Sequence, residues 1–386
     1  MLKKLMRNYD YSLLVTVILL TAFGLIMVYS ASSVWAVTRL HEPSNYLFIK
    51  QLEWCLIALP VAVTGMLVPY QAYKLIVKPL IFTSILLLVL IYFVGHTANN
   101  AQSWFALGSF HVQPSELVKI TLINYLASVF SNKQKSIDDF RTSVLPPLLV
   151  VLIFFILVAK QPDLGTAMIL VSVSAVIVFC SGLRLRHLLF LLAVVAVFIT
   201  SIFFKFLSSN QSERFTAAYD PFSVADKAGN QLINSYIAIA SGGLTGKGLG
   251  QSIEKAGFLP EPHTDFIIAV IGEELGLFGI LFVVLCLAYL VIKGFVIAIR
   301  CKDVFGSLLA IGISSLLAIQ TFVNLGAASG LLPVTGVTLP FVSYGGSSII
   351  IMMFSISVLL NISAFVNMKR SNNRQEGERV NVTAFH

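Results

Sequence analysis

A helix needs about 20 apolar residues to cross a hydrocarbon core of about 30 Å, and this chain supplies such a stretch ten times. The segments run over 12–34, 50–68, 75–94, 115–131, 144–160, 163–182, 187–207, 265–292, 304–328 and 341–366. They are read as an all-α membrane protein, a polytopic bundle of about ten transmembrane helices. Composition agrees, because 57% hydrophobic and 11% charged residues with a mean hydropathy of +0.88 exclude an ordinary water-soluble domain. Glycine or proline interrupts several spans (Pro60, Gly165, Gly272, Gly276, Gly326), which is tolerated where neighbouring helices satisfy the freed backbone groups. The fourth span is the least apolar, since Glu116, Lys119 and Asn124 break its run.

A net charge of +8 invites a nucleic-acid reading, but the position of the charges argues for a membrane surface. Basic residues fall at the amino end (Lys3, Lys4, Arg7), in every second loop (Lys74 and Lys78; Lys133, Lys135 and Arg141; Arg184 and Arg186; Lys293, Arg300 and Lys302) and in the tail (Lys369, Arg370, Arg374, Arg379). The loops at 95–114 and 329–340 have none. The positive-inside rule then places both termini in the cytoplasm, with the bilayer and no nucleic acid as the partner of this charge. The first segment follows its basic residues like a signal peptide, yet its apolar region is too long for one and is read as a retained anchor. Four scattered cysteines (55, 180, 286, 301) suggest neither a disulfide framework nor a metal site.

Residues 1–370 are expected to form one transmembrane domain, and the polar tail 371–386 to be disordered. The large insertion at 208–264, between the seventh and eighth spans, is extracytoplasmic by this topology. It holds a helix-like stretch at 229–240, a glycine-rich run from Ser241 to Gly250 and the sequence Pro260-Glu261-Pro262-His263-Thr264-Asp265. Long insertions of this kind usually carry function, so chemistry is expected on that side.

Carboxylates at membrane depth cost roughly 2.5–3.5 kcal/mol on insertion scales, so each needs a reason. Glu116, Asp163, Asp265, Glu273 and Glu274 lie at or within spans, and Glu261 sits just before one. Glu116 and Lys119, three residues apart, share one helix face, and Asp163 opens the sixth span from the same side. Lys119 is therefore expected to pair with Asp163, with Glu116 close by, either as a structural ion network or as a substrate site. Asp265 has no Lys or Arg within nine residues in sequence. A partly desolvated carboxylate there would have a raised pKa suited to general-base work, or Thr264 or Asp265 could simply cap the eighth helix. His263 with Asp265 lacks a third ligand, so a structural or hydrogen-bonding histidine is favoured over a metal site. The glycine-rich run fails the phosphate-loop spacing, although its amides and Lys247 could approach a diphosphate.

Six stretches, in order, resemble the SEDS family (shape, elongation, division, sporulation) over nearly the whole chain. They are Gln113-Pro114-Ser115-Glu116-Leu117-Val118-Lys119, Gln161-Pro162-Asp163-Leu164-Gly165-Thr166, Ala238 to Leu244, Leu259 to Phe266, Gly272-Glu273-Glu274-Leu275-Gly276, and Gly336 to Pro340 running into Ser343 to Ser348. The resemblance implies a peptidoglycan glycosyltransferase that polymerises lipid II beside a class B penicillin-binding protein, with Asp265 as the essential residue. It also implies that Trp104, Lys119 and Asp163 border the outer cavity, though Ser103 stands where many members carry arginine. Tyr9-Asp10-Tyr11-Ser12 and Gly336-Val337-Thr338-Leu339-Pro340 look more like division-type than elongation-type members. Other division proteins and a septal location in the bacterial plasma membrane follow as expectations.

In the implied reaction Asp265 takes the proton from an acceptor sugar hydroxyl as it attacks the donor's anomeric carbon. Lipid diphosphate is a weak base and leaves without an acid, unlike the leaving group of glycoside hydrolysis. Arg214, Lys160 and Lys247 are the candidate cations for it, and a divalent cation could share the task although no ligand set is visible. The rival readings are a lipid II flippase or transporter, a sporulation or elongation paralogue, and a scaffold acting through the tail.

Overall fold

The computed structural model describes residues 2–98, 101–108, 110–137, 139–184, 187, 189, 209–225 and 228–383. Helices α1 (Leu2–Arg7), α2 (Tyr11–Trp35), α3 (Tyr46–Leu67), α4 (Val77–Val94), α5 (Pro114–Asn132), α6 (Leu145–Ala159) and α7 (Leu164–Cys180) form the first half. After them come α8 (Ser209–Tyr219), α9 (Ala228–Gly242), α10 (Ile267–Arg300), α11 (Val304–Ala328) and α12 (Gly346–Thr383). Nine of the ten expected spans are thus helical, and the seventh, 187–207, lies almost wholly outside the described residues. Seven helical segments among the described residues are long and apolar enough to cross a membrane: Tyr11–Leu40, Tyr46–Leu67, Val77–Val94, Phe140–Ala159, Ile267–Arg300, Val304–Ala328 and Gly346–Ser371. α12 runs on past the apolar span through the polar tail as far as Thr383.

The weakest apolar segment became the centre of the bundle. α5 packs against α4, α7 and α11, which shield it from lipid, so its polar groups meet protein. Thr121 shares a 3.0 Å hydrogen bond with Ser84, and Asn124 donates to the Tyr73 carbonyl at 2.9 Å. Low hydropathy here is a consequence of interior position, where side chains and backbone carbonyls replace water. One departure from all-α architecture precedes α5. Residues expected as a plain loop form a small antiparallel sheet, β1 (His96–Ala98), β2 (Ala101–Leu107) and β3 (Phe110–Val112).

α10 is broken. Gly276 adopts φ 64° and ψ −158°, separating a half-helix, 267–275, from the long span that follows. Such a break frees backbone groups that hydrocarbon cannot satisfy, and the glycine-rich run satisfies them. Lys247 and Gly248 donate their amides to the Glu273 and Glu274 carbonyls, both at 2.9 Å. Leu277 and Phe278 donate to the carbonyls of Gly243 (3.0 Å) and Leu244 (3.4 Å). The amides once considered for a diphosphate are therefore committed to mending a helix.

This mending needs α9 and α10 in close contact. A Cβ on Gly242 would lie 1.8 Å from the Gly272 carbonyl oxygen, a backbone atom that has nowhere to go. Gly242→Ala is accordingly expected to destabilise the protein by about 1–3 kcal/mol, the cost of overpacking, read as a lower thermal midpoint in detergent.

Candidate active site

Asp265 stands on the turn between the two prolines at 260 and 262 and the half-helix, and the structure excludes its use as a helix cap. The N-cap of α10 is Phe266, with no side-chain cap bond. Asp265 Oδ1 instead accepts from Thr264 Oγ1 at 2.6 Å, and no cation lies within ion-pairing distance among the described residues. The carboxyl is surrounded by protein yet retains partial exposure. Burial pushes its pKa above the ordinary carboxylate value, with the neighbouring Glu261 charge adding to the rise and the Thr264 bond and Arg214 opposing it.

The backbone around Asp265 is held from two sides. Asn324 of α11 donates through Nδ2 to the Asp265 carbonyl at 2.9 Å and to the Val337 carbonyl at 2.8 Å. Ser343 Oγ donates to the Thr264 carbonyl at 2.5 Å, and the Tyr344 amide donates to the His263 carbonyl at 2.8 Å. His263 is buried between Trp35 and Tyr344, ring centroids 4.8 and 5.5 Å away. Burial pulls its pKa down to about 4, so it is a neutral packing residue at physiological pH. Among the described residues no three His, Cys, Asp or Glu side chains converge as a metal site would require.

Glu116, Lys119 and Asp163 come together differently from expectation. Lys119 Nζ pairs with Glu116 Oε1 at 2.7 Å and donates to Gln320 Oε1 at 3.1 Å, with both charged side chains buried. Asp163 is engaged elsewhere, accepting from the Thr166 amide (3.0 Å) as the cap of α7, from Gln113 Nε2 (2.9 Å) and from Ser115 Oγ (3.4 Å). The expected Lys119–Asp163 pair is thus replaced by an i,i+3 pair within α5, because capping α7 turns the aspartate toward the Thr166 amide and the Gln113 and Ser115 side chains. Burial raises the Asp163 pKa, and the Thr166 hydrogen bonds and the nearby Lys119 charge oppose the rise.

Gln320 links this group to Asp265. It sits one turn before Asn324 on α11 and donates to the Thr338 carbonyl at 3.1 Å, so the two amides flank the extended segment 334–338. The same segment meets the start of α7, where a Cβ on Gly165 would lie 2.8 Å from Thr335 Cβ. Sequence reasoning passed over Gln320 and Asn324. Two amides spaced i,i+4 within an apolar span were the available signal.

The cations separate. Arg214, on α8, donates to the Val334 carbonyl at 3.4 Å and acts electrostatically on Asp265. Lys160 is exposed one residue before Gln161, whose carbonyl accepts from Ser103 Oγ at 2.9 Å, tying the half-buried Trp104 strand to the same rim. Lys247 belongs to another cluster, paired with Glu273 at 2.7 Å, eight residues beyond Asp265 and about 12 Å along the half-helix. Glu273 also accepts from Ser252 Oγ (2.5 Å) and the amides of Ile253 (3.0 Å) and Glu254 (3.3 Å). Beside it, Glu274 binds Lys255 (2.6 Å) and Ser30 (2.7 Å).

The sequence of this bundle matches the model of the FtsW/RodA/SpoVE family of cell cycle proteins over residues 10–368. The chain belongs to that family. It is 48% identical over 385 residues to the probable peptidoglycan glycosyltransferase FtsW of Bacillus subtilis (strain 168), covering 97% of this chain and 96% of that one. Stage V sporulation protein E of the same organism is 40% identical over 92% of this chain and 97% of its own. Among solved structures, a chain of a peptidoglycan synthase complex that coordinates polymerization and crosslinking superposes with a TM-score of 0.76 at 28% identity, covering 93% of this chain and 98% of that one.

Proposed function

We propose that this protein is a peptidoglycan glycosyltransferase that polymerises lipid II at the outer face of the plasma membrane. The observation that carries the proposal is Asp265, a carboxyl raised in pKa, unpaired with any cation among the described residues, free of capping duty and anchored through its own backbone. Such a group is poised to accept a proton, whereas Glu116 and Glu274 are paired with lysines and Asp163 caps a helix. Asp265 takes the proton from the acceptor 4-hydroxyl while that oxygen attacks the donor's anomeric carbon with inversion. Arg214 and Lys160 neutralise the departing lipid diphosphate, since Lys247 is committed to Glu273. Trp104, Glu116, Lys119, Asp163 and His263 shape the surroundings of the sugars.

Both termini lie in the cytoplasm and the 208–264 insertion outside, a topology supported by the alternation of basic loops. The higher identity to the division-type relative favours septal synthesis over sporulation, and the likeness to a synthase complex supports a class B penicillin-binding protein as partner. The test is reconstitution into liposomes containing lipid II, with and without that transpeptidase, read by gel for glycan strands. Polymer formation that depends on this chain is expected. Transbilayer movement of lipid II without polymer would overturn the proposal in favour of a flippase.

The pH profile is a second check. A base must be ionised, so the rate is expected to climb with pH through the Asp265 pKa, above the ordinary value of about 3.9. Glu261→Gln removes a negative neighbour, makes ionisation easier and is expected to move this acid limb to lower pH. Arg214→Gln is expected to move it to higher pH.

A further inference from the structure

The end of the bundle farthest from Asp265 holds a cavity of about 270 Å³. It lies between the last turns of α10 and the middle of α12, about 20–36 Å along α10 from the break at Gly276. Its lining divides by chemistry. Ile292, Val296, Ile297 and Val366 form an apolar wall, and Lys293, Arg300, Ser363 and Asn367 bring polar groups, with Asp10 the only carboxylate.

Asp10 is already neutralised. Its Oδ2 accepts from Lys293 Nζ at 3.0 Å, and Ser12 and its own backbone amide, which donates to Ser363 Oγ at 3.2 Å, hold it in place. Arg300 is different. It is exposed and has no hydrogen-bond or ion-pair partner among the described residues, so the lining carries a net positive charge that no described residue balances. More positive charge stands around it on α1, which packs against α12, and on α12 itself through Lys369 and Arg370. The apolar wall continues outward onto the bundle's flank, where Ile292 and Ile299 are 62% and 84% exposed.

We propose that this cavity binds the headgroup of an anionic phospholipid. The guanidinium of Arg300 receives the phosphate as a bidentate donor, Lys293 and Asn367 stand beside it, and the acyl chains run along Ile292, Val296 and Ile299. A basic recess with a half-apolar lining matches a charged group that carries hydrocarbon, and membranes supply such groups at high local concentration. The space equals that of about nine water molecules, room for a phosphate with a small alcohol. The proposed topology assigns the site to the inner leaflet, while the headgroup chemistry follows from the lining alone.

The test uses the full-length protein in detergent micelles doped with phosphatidylglycerol or phosphatidylcholine, read by native mass spectrometry for retained lipid and by thermal midpoint. Wild type is expected to retain one phosphatidylglycerol in preference to phosphatidylcholine, with a raised midpoint. Arg300→Gln is expected to weaken retention about fivefold, the effect of one basic residue at a membrane surface, while leaving the midpoint in phosphatidylcholine unchanged. Lys78→Gln, an exposed lysine at the same end but outside the lining, is expected to retain lipid like wild type. Equal losses in both variants, or none in Arg300→Gln, would overturn the proposal. Equal stabilisation by soluble glycerol 3-phosphate would also overturn it, by showing a site for free anions. Because lipid retention is read without glycan synthesis, its outcome is separate from that of the polymerisation assay.

Discussion

Asp265→Asn is expected to insert and fold normally yet form about 10²–10⁴-fold less glycan from purified lipid II, the usual worth of a general base. The substitution preserves shape and the chance of a hydrogen bond from Thr264, so the backbone clasp of Asn324, Ser343 and Tyr344 stays in place. What disappears is the ability to hold a proton taken from a hydroxyl. Stability should move in the opposite direction from activity. A carboxyl whose folded-state pKa is raised binds its proton more tightly when folded, so its contribution is favourable at low pH and is lost as pH rises from the unfolded value through the folded one. At neutral pH the wild-type protein therefore carries a buried charge that asparagine removes, and the variant's thermal midpoint is expected to equal or exceed that of wild type. Inactivity with a lowered midpoint would instead mark Asp265 as structural, and full activity would reject the assignment.

Lys255→Met is expected to be the most damaging single change outside the site, at about 3–5 kcal/mol, because it strands a buried carboxylate. Glu274 and Lys255 are 0% and 4% exposed and 2.6 Å apart. Ser30 of α2 donates to Glu274 and accepts from Lys255 at 3.0 Å, so one cluster joins α2, the half-helix and the loop after the glycine run. With the ammonium gone, Glu274 retains among the described residues the Ser30 hydroxyl and a 3.4 Å contact from the Ser252 amide. The double variant Lys255→Met with Glu274→Gln is expected to recover most of the loss, since no charge is left unpaired and glutamine can still accept from Ser30. Thermal unfolding of the four proteins of this cycle measures the coupling. Activity should fall with the single variant too, because the loop that mends the break at Gly276 also sets the direction of the half-helix leading back to Asp265.

The two predictions separate carboxylates that look alike in sequence. Asp265, Glu273 and Glu274 all stand at the start of one apolar segment. Only the fold shows that two of them belong to the contacts around a helix break, while the third has no cation beside it among the described residues.

Hydropathy alone determined the membrane class and nine of the twelve α-helices described, because crossing hydrocarbon is a requirement each segment meets by itself. The unusual depth of Glu116, Asp163, Asp265, Glu273 and Glu274 was equally visible, as was Lys119 among them, since the cost of a charge in an apolar run is local. Tertiary structure decided the rest. Ser30 reaches Glu274 across 244 residues and Lys119 reaches Gln320 across 201, so partners depend on which helices pack side by side. The Lys119–Asp163 expectation failed for that reason, with Asp163 drawn off by the α7 amide and Gln113, and the glycine run exchanged an anion-binding part for a backbone repair. Pairing energies belong to the packed bundle, in which a buried charge finds its partner by proximity in space and not by spacing along the chain.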